Sequence, residues 1–212
     1  MTMRLDVGRG TLVGLLFLMV GSVAQAQTAP DKLVKDVAND VLKSLGEDPD
    51  LRTSNPTKMA ELIEQKVAPH FDFERMTRLA VGRNWREAND DQKKLLIEQF
   101  RQLLVRSYST AYSAYRNIAV EVKPARMSAG DDDVQVKSEI KLPGGAPPVN
   151  VDYAMYKNDS EWKVYDVIVD GVSLVTTYRS TFTEEIRQNG IDGLIKSLRE
   201  KNTLPVPGKK QQ

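Results

Sequence analysis

Residues 118–123 read IAVEVK, and the spacing of apolar side chains changes at this stretch. Before it, residues 89–115 place apolar side chains at the i, i+3, i+4 spacing of an amphipathic helix. From Ile118 onward apolar and polar side chains alternate, which is the period of a strand with one buried face. The sequence therefore predicts helices before this point and a sheet after it.

Three more runs continue the alternation, at residues 134–141, 149–156 and 162–169. Short segments rich in Gly, Asp, Asn and Pro separate the runs, which favours hairpin connections. Together with the first run they predict a four-stranded antiparallel meander with one apolar and one polar face. In the last run Val164 and Val167 lie three residues apart rather than two, which predicts a β-bulge near Asp166.

Helices are predicted on both sides of these strands in the sequence. Asn55-Pro56 marks a helix start, and NDDQ at residues 89–92 forms a capping box at the start of the longest helix. Gly82 interrupts a short helix, and Asn189-Gly190 ends another. Several helices packed on one face of a curved antiparallel sheet give an α+β fold.

The first 26 residues indicate export. Arg4 and Arg9 precede an uncharged apolar run at residues 11–23, and Ala24-Gln25-Ala26 fits the small-x-small cleavage rule. A run of thirteen residues is too short for a bilayer core of about 30 Å at about 1.5 Å per residue, although a retained anchor stays an alternative. We expect residues 1–26 to be a cleaved signal peptide, residues 27–200 a single domain, and residues 201–212 a disordered tail.

Charge and composition exclude several classes of protein. Without residues 1–26 the chain has 28 basic and 28 acidic residues, so it has no broad field to hold nucleic acid. It has no cysteine, which excludes disulfides, thiolate metal sites and cysteine nucleophiles. A second apolar run long enough to span a bilayer is absent from the sequence, so we expect a soluble protein, and we expect it to be a monomer.

The stretch DVIVDGVSL at residues 166–174 resembles the Gly-x-Ser-x-Gly nucleophile elbow of hydrolases. Position 175 is Val175 rather than glycine, and His70, the single histidine, lies far upstream. A serine without a base is a weak nucleophile. Ser173 is therefore predicted to be a capping hydroxyl in a connection between strand and helix.

An acidic cluster and a buried carboxylate represent two other kinds of site. Residues 131–133 form the densest acidic cluster, but they lack the ligand spacing of a calcium loop and are predicted to be a solvated turn. An α+β cone could hold a small pocket in which a buried carboxylate of Asp152, Asp166 or Asp170 acts as a general base. A periplasmic adaptor with a solid core and no ligand is a further alternative.

Three blocks of the sequence resemble the MlaC family: residues 71–115 with Gly82-x-x-Trp85, residues 162–182, and residues 191–198. The resemblance covers roughly residues 31–200. Members of this family are periplasmic phospholipid-binding components of a system that maintains outer-membrane lipid asymmetry, and some are called toluene-tolerance proteins.

The resemblance implies that sheet and helices enclose an apolar pocket for phospholipid tails. It implies a periplasmic carrier that exchanges lipid with an outer-membrane Mla lipoprotein complex and an inner-membrane Mla ABC transporter complex. Phospholipid is then the cargo, and no other cofactor, metal or catalytic residue is expected.

The predicted tail contacts are apolar or aromatic residues of the longest helix, the sheet and the segment after it: Leu104, Tyr108, Tyr112, Val136, Val151, Tyr153, Met155, Val164, Val169, Val172, Leu174, Tyr178 and Phe182. Each of them could equally belong to a packed core, because a core and a cavity wall use the same side chains. Arg179 could meet a headgroup phosphate, with an ordinary surface arginine as the alternative.

Overall fold

In the computed structural model the described residues are 28–52, 56–114, 118–128, 130–159 and 161–204, without the side chains of residues 49, 52 and 110–114. The predicted signal peptide and residues 205–212 lie outside the described residues. Within them, helices pack against an antiparallel sheet, which confirms the predicted α+β class. No helix in this part of the chain is long and apolar enough to cross a membrane.

The helices of the described part are α1 Pro30–Glu47, α2 Pro49–Arg52, α3 Pro56–Lys66, α4 Phe73–Val81, α5 Asp90–Ala114 and α6 Leu174–Thr203. The capping box is confirmed, because Asn89 Oδ1 accepts from the Gln92 amide at 2.8 Å and Gln92 Oε1 accepts from the Asn89 amide at 3.0 Å. The predicted interruptions are also present: α4 ends at Gly82 (φ +64°), and Gly190 (φ +70°) breaks α6. The last helix continues past residue 200 to Thr203.

The strands are β1 Ala119–Val122, β2 Asp133–Lys141, β3 Val149–Asn158, β4 Glu161–Val169 and β5 Val172–Ser173, and they pair antiparallel in the order β1-β2-β3-β4-β5. The prediction of four strands is therefore one too low. Asp170 and Gly171, both with positive φ, reverse the chain so that Val172 pairs with Val169. A strand of two residues is too short to show an alternating pattern, which is why the sequence does not reveal it.

The predicted bulge is confirmed. Met155 on β3 pairs with Val164, whereas Ala154 pairs with Asp166, so Tyr165 is the extra residue on β4. The extra residue shifts the phase of the strand, and Val164 and Val167 consequently line the same cavity although they lie three residues apart.

The buried side chains form three clusters. The largest is helical and joins α4, α5 and α6 around Phe100 and Phe182, whose ring centroids lie 5.0 Å apart. A second cluster lies between α1 and the sheet and includes Val34, Val136 and Trp162, and a third joins α1, α2, α3 and α5. Space remains between the second and third clusters, under α1.

Candidate functional site

A cavity of about 330 Å³ lies between the sheet and helices α1, α3, α4 and α5. This volume is within the range of small-molecule sites, about 300 to 1,000 Å³. The described residues that line it are apolar or aromatic, apart from His70, and none is an Asp, Glu, Lys or Arg. The cavity is therefore suited to an apolar ligand.

Much of the cavity wall follows from the period of two residues in a strand and the period of 3.6 residues in a helix. On β3, every second residue from Val149 to Met155 faces the cavity, as expected for one face of a strand. On α1, residues at helical spacing between Leu33 and Leu45 do the same, and an ion pair between Asp40 and Lys66 at 2.6 Å connects this helix to α3.

The structure places many of the predicted tail contacts on this wall, namely Leu104, Tyr108, Val151, Tyr153, Met155, Val164, Val169 and Leu174. Val136, Tyr178 and Phe182 lie elsewhere. Val136 is fully buried in the cluster between α1 and the sheet, and the two aromatic rings pack against Phe100. Apolar periodicity predicts that a residue is buried, but the partner that covers it is set by the tertiary packing.

Three further predicted residues also lie off the cavity wall or outside the described side chains. Val172 is 63% exposed on the short strand β5. Arg179 lies against Gly82 and not at the cavity. Its Nε is so near that a Cβ atom added at Gly82 would lie 3.1 Å from it. The side chain of Tyr112 is outside the described residues.

The wall also contains residues that were not singled out as tail contacts: Leu33, Val34, Val37, Ala38, Val41, Leu42, Leu45, Ile63, Val67, Ala68, His70, Phe71, Phe73, Met76, Val105, Ile118, Val120, Ile140, Leu142, Val149 and Val167. A third of them belong to the apolar stripe of α1. Of the α1 residues in the stripe only Val34 and Val41 are buried, so the others keep apolar surface open to the cavity.

The titratable side chains of the wall favour an uncharged cavity. Burial lowers the pKa of His70, with a smaller contribution from the Lys163 ammonium that Glu161 partly opposes. Burial raises the pKa of the Tyr108 hydroxyl to about 12, and Tyr178 adds to the effect. Both shifts favour the neutral form at neutral pH.

None of the three candidate catalytic aspartates lines the cavity, and two of them, Asp166 and Asp170, hold backbone amides. Asp166 accepts from the Ser173 hydroxyl at 2.5 Å and from the amides of Val167 and Val175 at 2.8 and 3.0 Å. Asp170 accepts from the Asn150 amide at 3.0 Å, and Asp152 accepts from a glutamine side chain at 2.8 Å.

Ser173 caps α6, as predicted, because its Oγ accepts from the Thr176 amide at 3.0 Å. The acidic cluster at residues 131–133 is only partly a turn. Asp133 begins β2, pairs with Arg75 at 3.4 Å and accepts from the Tyr165 hydroxyl at 2.9 Å. Among the described residues, no three His, Cys, Asp or Glu side chains are placed to hold a metal ion.

Comparisons with known proteins identify relatives over nearly the whole chain. The family model described as MlaC protein matches residues 35–200. The intermembrane phospholipid transport system binding protein MlaC of Haemophilus influenzae is 20% identical over 194 residues, which are 91% of each chain. The toluene tolerance protein ttg2D of Pseudomonas putida is 28% identical over 186 residues, 87% of this chain and 84% of the relative.

A solved structure is also similar. The phospholipid-binding protein from Ralstonia solanacearum, determined in complex with a phospholipid, is 38% identical with a TM-score of 0.77. The match covers 82% of this chain and 97% of that one.

Proposed function

The chain belongs to the MlaC family, and on that premise we propose that it is a phospholipid carrier that encloses acyl chains in the cavity under α1. The observation that carries the proposal is the uncharged apolar wall between sheet and helices. The Ralstonia solanacearum relative, whose structure contains a phospholipid, supports the same use of this fold.

Enclosure of the tails is the physical requirement for such a carrier. Two acyl chains contain about 30 methylenes, and each costs about 0.8 kcal/mol when exposed to water, so their exposure costs on the order of 25 kcal/mol. A phospholipid crosses an aqueous compartment at a useful rate only if a protein covers this surface. An apolar cavity provides such cover for the part of the tails that it holds.

The tail contacts that we propose are the predicted residues on the cavity wall, together with the α1 stripe. The stripe contributes Leu33, Val37 and Leu42, which face the cavity and are only partly buried by the protein's own side chains. A ligand in the cavity would cover their remaining apolar surface, which is favourable at about 25 cal/mol per Å².

We place the carrier in the periplasm, after removal of residues 1–26. There it would exchange lipid with an outer-membrane Mla lipoprotein complex and an inner-membrane Mla ABC transporter complex. The headgroup would remain in water at the mouth of the cavity, which agrees with a wall that provides no cation or anion among its described residues.

The structure supports the carrier over the two alternatives. An enzyme with a general base would need a carboxylate facing the pocket, whereas Asp166 uses its oxygens to hold the start of α6. An adaptor with a solid core would not need the cavity.

Native mass spectrometry of protein purified without detergent tests the proposal. We expect phospholipid masses bound to the chain. Leu42→Trp, which fills the cavity from α1, should lower the bound fraction several-fold, whereas Lys43→Trp on the exposed side of the same turn should leave it unchanged. The proposal fails if the wild-type chain is empty in every preparation and takes up no lipid from liposomes.

A further inference from the structure

Arginines without acidic partners meet at one corner of the molecule, where α4 ends and packs against α6. They are Arg78 on α4, Arg83 and Arg86 in the 3₁₀ turn Gly82–Arg86, and Arg179 on α6, and all are exposed. Among the described residues no carboxylate lies within ion-pair distance of any of the four, whereas Arg75 and Arg187 have such partners. We call these four residues the arginine corner.

The backbone brings the corner together. The Gly82 amide donates to the Arg78 carbonyl, so the turn begins directly at the end of α4. Gly82 has φ +64°, and without a Cβ it leaves room for the guanidinium of Arg179 from α6. Arg83 and Arg86 lie three residues apart on a 3₁₀ turn, which places them on the same side.

A cation in the last turn of a helix is favourable, and Arg78 has that position in α4, but this preference does not account for four unpaired arginines together. Like charges in proximity repel one another, and unpaired surface guanidiniums contribute little to stability. We propose that the arginine corner docks a carboxylate-rich surface of a partner protein. Without residues 1–26 the chain has 28 basic and 28 acidic residues with the corner included, so the corner is a local feature and not part of a general basic field.

The surroundings of the corner favour a protein surface over an anionic bilayer. Glu87, Asp90 and Asp91 follow the turn directly, and the two aspartates pair with Lys93 at 3.6 Å and Lys94 at 3.8 Å. The border of the corner therefore has charges of both signs, which a bilayer, as a plane of negative charge, does not match. A protein can present carboxylates to the arginines and avoid the border, since its charges are placed individually.

The residue types at the corner agree with a protein partner. Arginine binds carboxylates through two parallel hydrogen bonds, which lysine cannot do. Leu79 is 36% exposed next to Arg78, and Trp85 is half-buried between Arg83 and Arg86 in the sequence. Arginine and aromatic residues are enriched in protein interfaces.

The corner also lies on elements that border the cavity. The first turn of α4 contributes Phe73 and Met76 to the cavity wall, and Leu174 begins α6. A partner docked here would therefore contact two helices that hold the cargo. A role of the arginine corner in lipid transfer rests on the proposed carrier function, whereas the docking of a partner at the corner does not.

Binding to three kinds of vesicle tests the proposal. They are membranes of the source bacterium, the same membranes treated with protease, and protein-free vesicles with phosphatidylglycerol. We expect the purified chain to bind only the first. Arg83→Glu/Arg86→Glu should weaken that binding at least roughly tenfold. Lys137→Glu/Lys157→Glu, which changes the net charge equally at exposed lysines of the sheet, should change it less than about twofold.

A photo-crosslinker at Leu79 identifies the surface that is bound, and the crosslinked peptide should be rich in Asp and Glu. Circular dichroism checks that the variants fold, with Arg83→Gln/Arg86→Gln as a milder pair that should weaken binding about threefold. Native mass spectrometry of the same variants should show unchanged lipid, which separates failure of docking from failure of the carrier proposal.

Other outcomes overturn the proposal. Equal losses in the arginine and lysine pairs would indicate an effect of net charge alone. Arginine-dependent binding to the protein-free vesicles would assign the corner to a bilayer. Wild-type chain that does not bind the native membranes, or a crosslinked peptide without acidic residues, would exclude an acidic docking partner.

Discussion

The helical core around Phe100 and the cavity under α1 are built from the same kinds of residue, yet only one is filled by its own side chains. In the core, the rings of Phe100, Tyr178 and Phe182 have centroids 4.9 to 5.5 Å apart and pack directly against one another. Beside the sheet, α1 and α3 stand far enough away to leave about 330 Å³. The difference shows that the placement of the helices, and not the choice of side chains, separates a core from a cavity.

The largest expected effect is in the core. Phe182→Ala should lower the free energy of unfolding by about 3 to 5 kcal/mol, because it leaves a void among rings that interlock. Val151→Ala on the cavity wall should cost about 1 kcal/mol, because the side chain it shortens already faces open space. Urea denaturation of both variants measures the contrast. Val81→Ala in the core removes the same atoms as Val151→Ala and should cost about twice as much, so equal losses in this matched pair would mean that the cavity wall is packed as tightly as the core.

The second effect concerns the connection between the two regions, since Asp166 lies on a cavity strand and holds the first helical turn of the core helix α6. Asp166→Asn should lower the free energy of unfolding by about 2 kcal/mol, because charge-assisted hydrogen bonds contribute about 1.5 to 3 kcal/mol. Asp170→Asn, at the exposed turn, is the matched control and should cost less. A stable variant with altered activity toward a substrate would instead favour the enzyme alternative.

The sequence predicted well those features that depend on neighbours along the chain. The capping box at residues 89–92, the break at Gly82 and the bulge in β4 follow from local backbone chemistry and local phase. The cavity wall depends on contacts between distant segments. Val136 and Val151 are both apolar strand residues, but Val136 clusters with Val34 and Trp162, whereas Val151 faces the cavity.

The contact of Arg179 with Gly82 also joins distant segments of the chain. It places Arg179, the predicted headgroup contact, on a different surface from the cavity. Neither residue carries a local signal for the other. The short strand β5 is a smaller case of the same limit, because its two residues are recognised only through their pairing with β4.

A third prediction concerns the cap at the same connection. Ser173→Ala should lower the free energy of unfolding by about 1 kcal/mol, because the Thr176 amide loses its acceptor. Ser180→Ala, within the exposed face of α6, should change it little. Any hydrolase activity of the chain should be the same in wild type and Ser173→Ala. A loss of such activity in the variant would restore the nucleophile hypothesis for residues 166–174.

The smallest expected effect is the pH dependence of the cavity. Burial lowers the pKa of His70 from the ordinary value of 6.5, so the folded state favours the neutral ring. The stability from this group is fully present above pH 6.5 and is lost as the pH falls through the lower pKa of the folded state. The titratable side chains next to it are Lys163, which adds to the shift, and Glu161, which opposes it.

The free energy of unfolding should therefore decrease slightly more on acidification in wild type than in His70→Gln, which cannot titrate. Bound phospholipid should extend this dependence to lower pH and increase the total loss, because tails in the cavity remove water from one side of the ring and make the charged form costlier. Urea denaturation at several pH values, with and without lipid, measures both effects. A residue of the packed core would show no such response to lipid. An identical pH profile with and without lipid would indicate that the ligand does not reach His70.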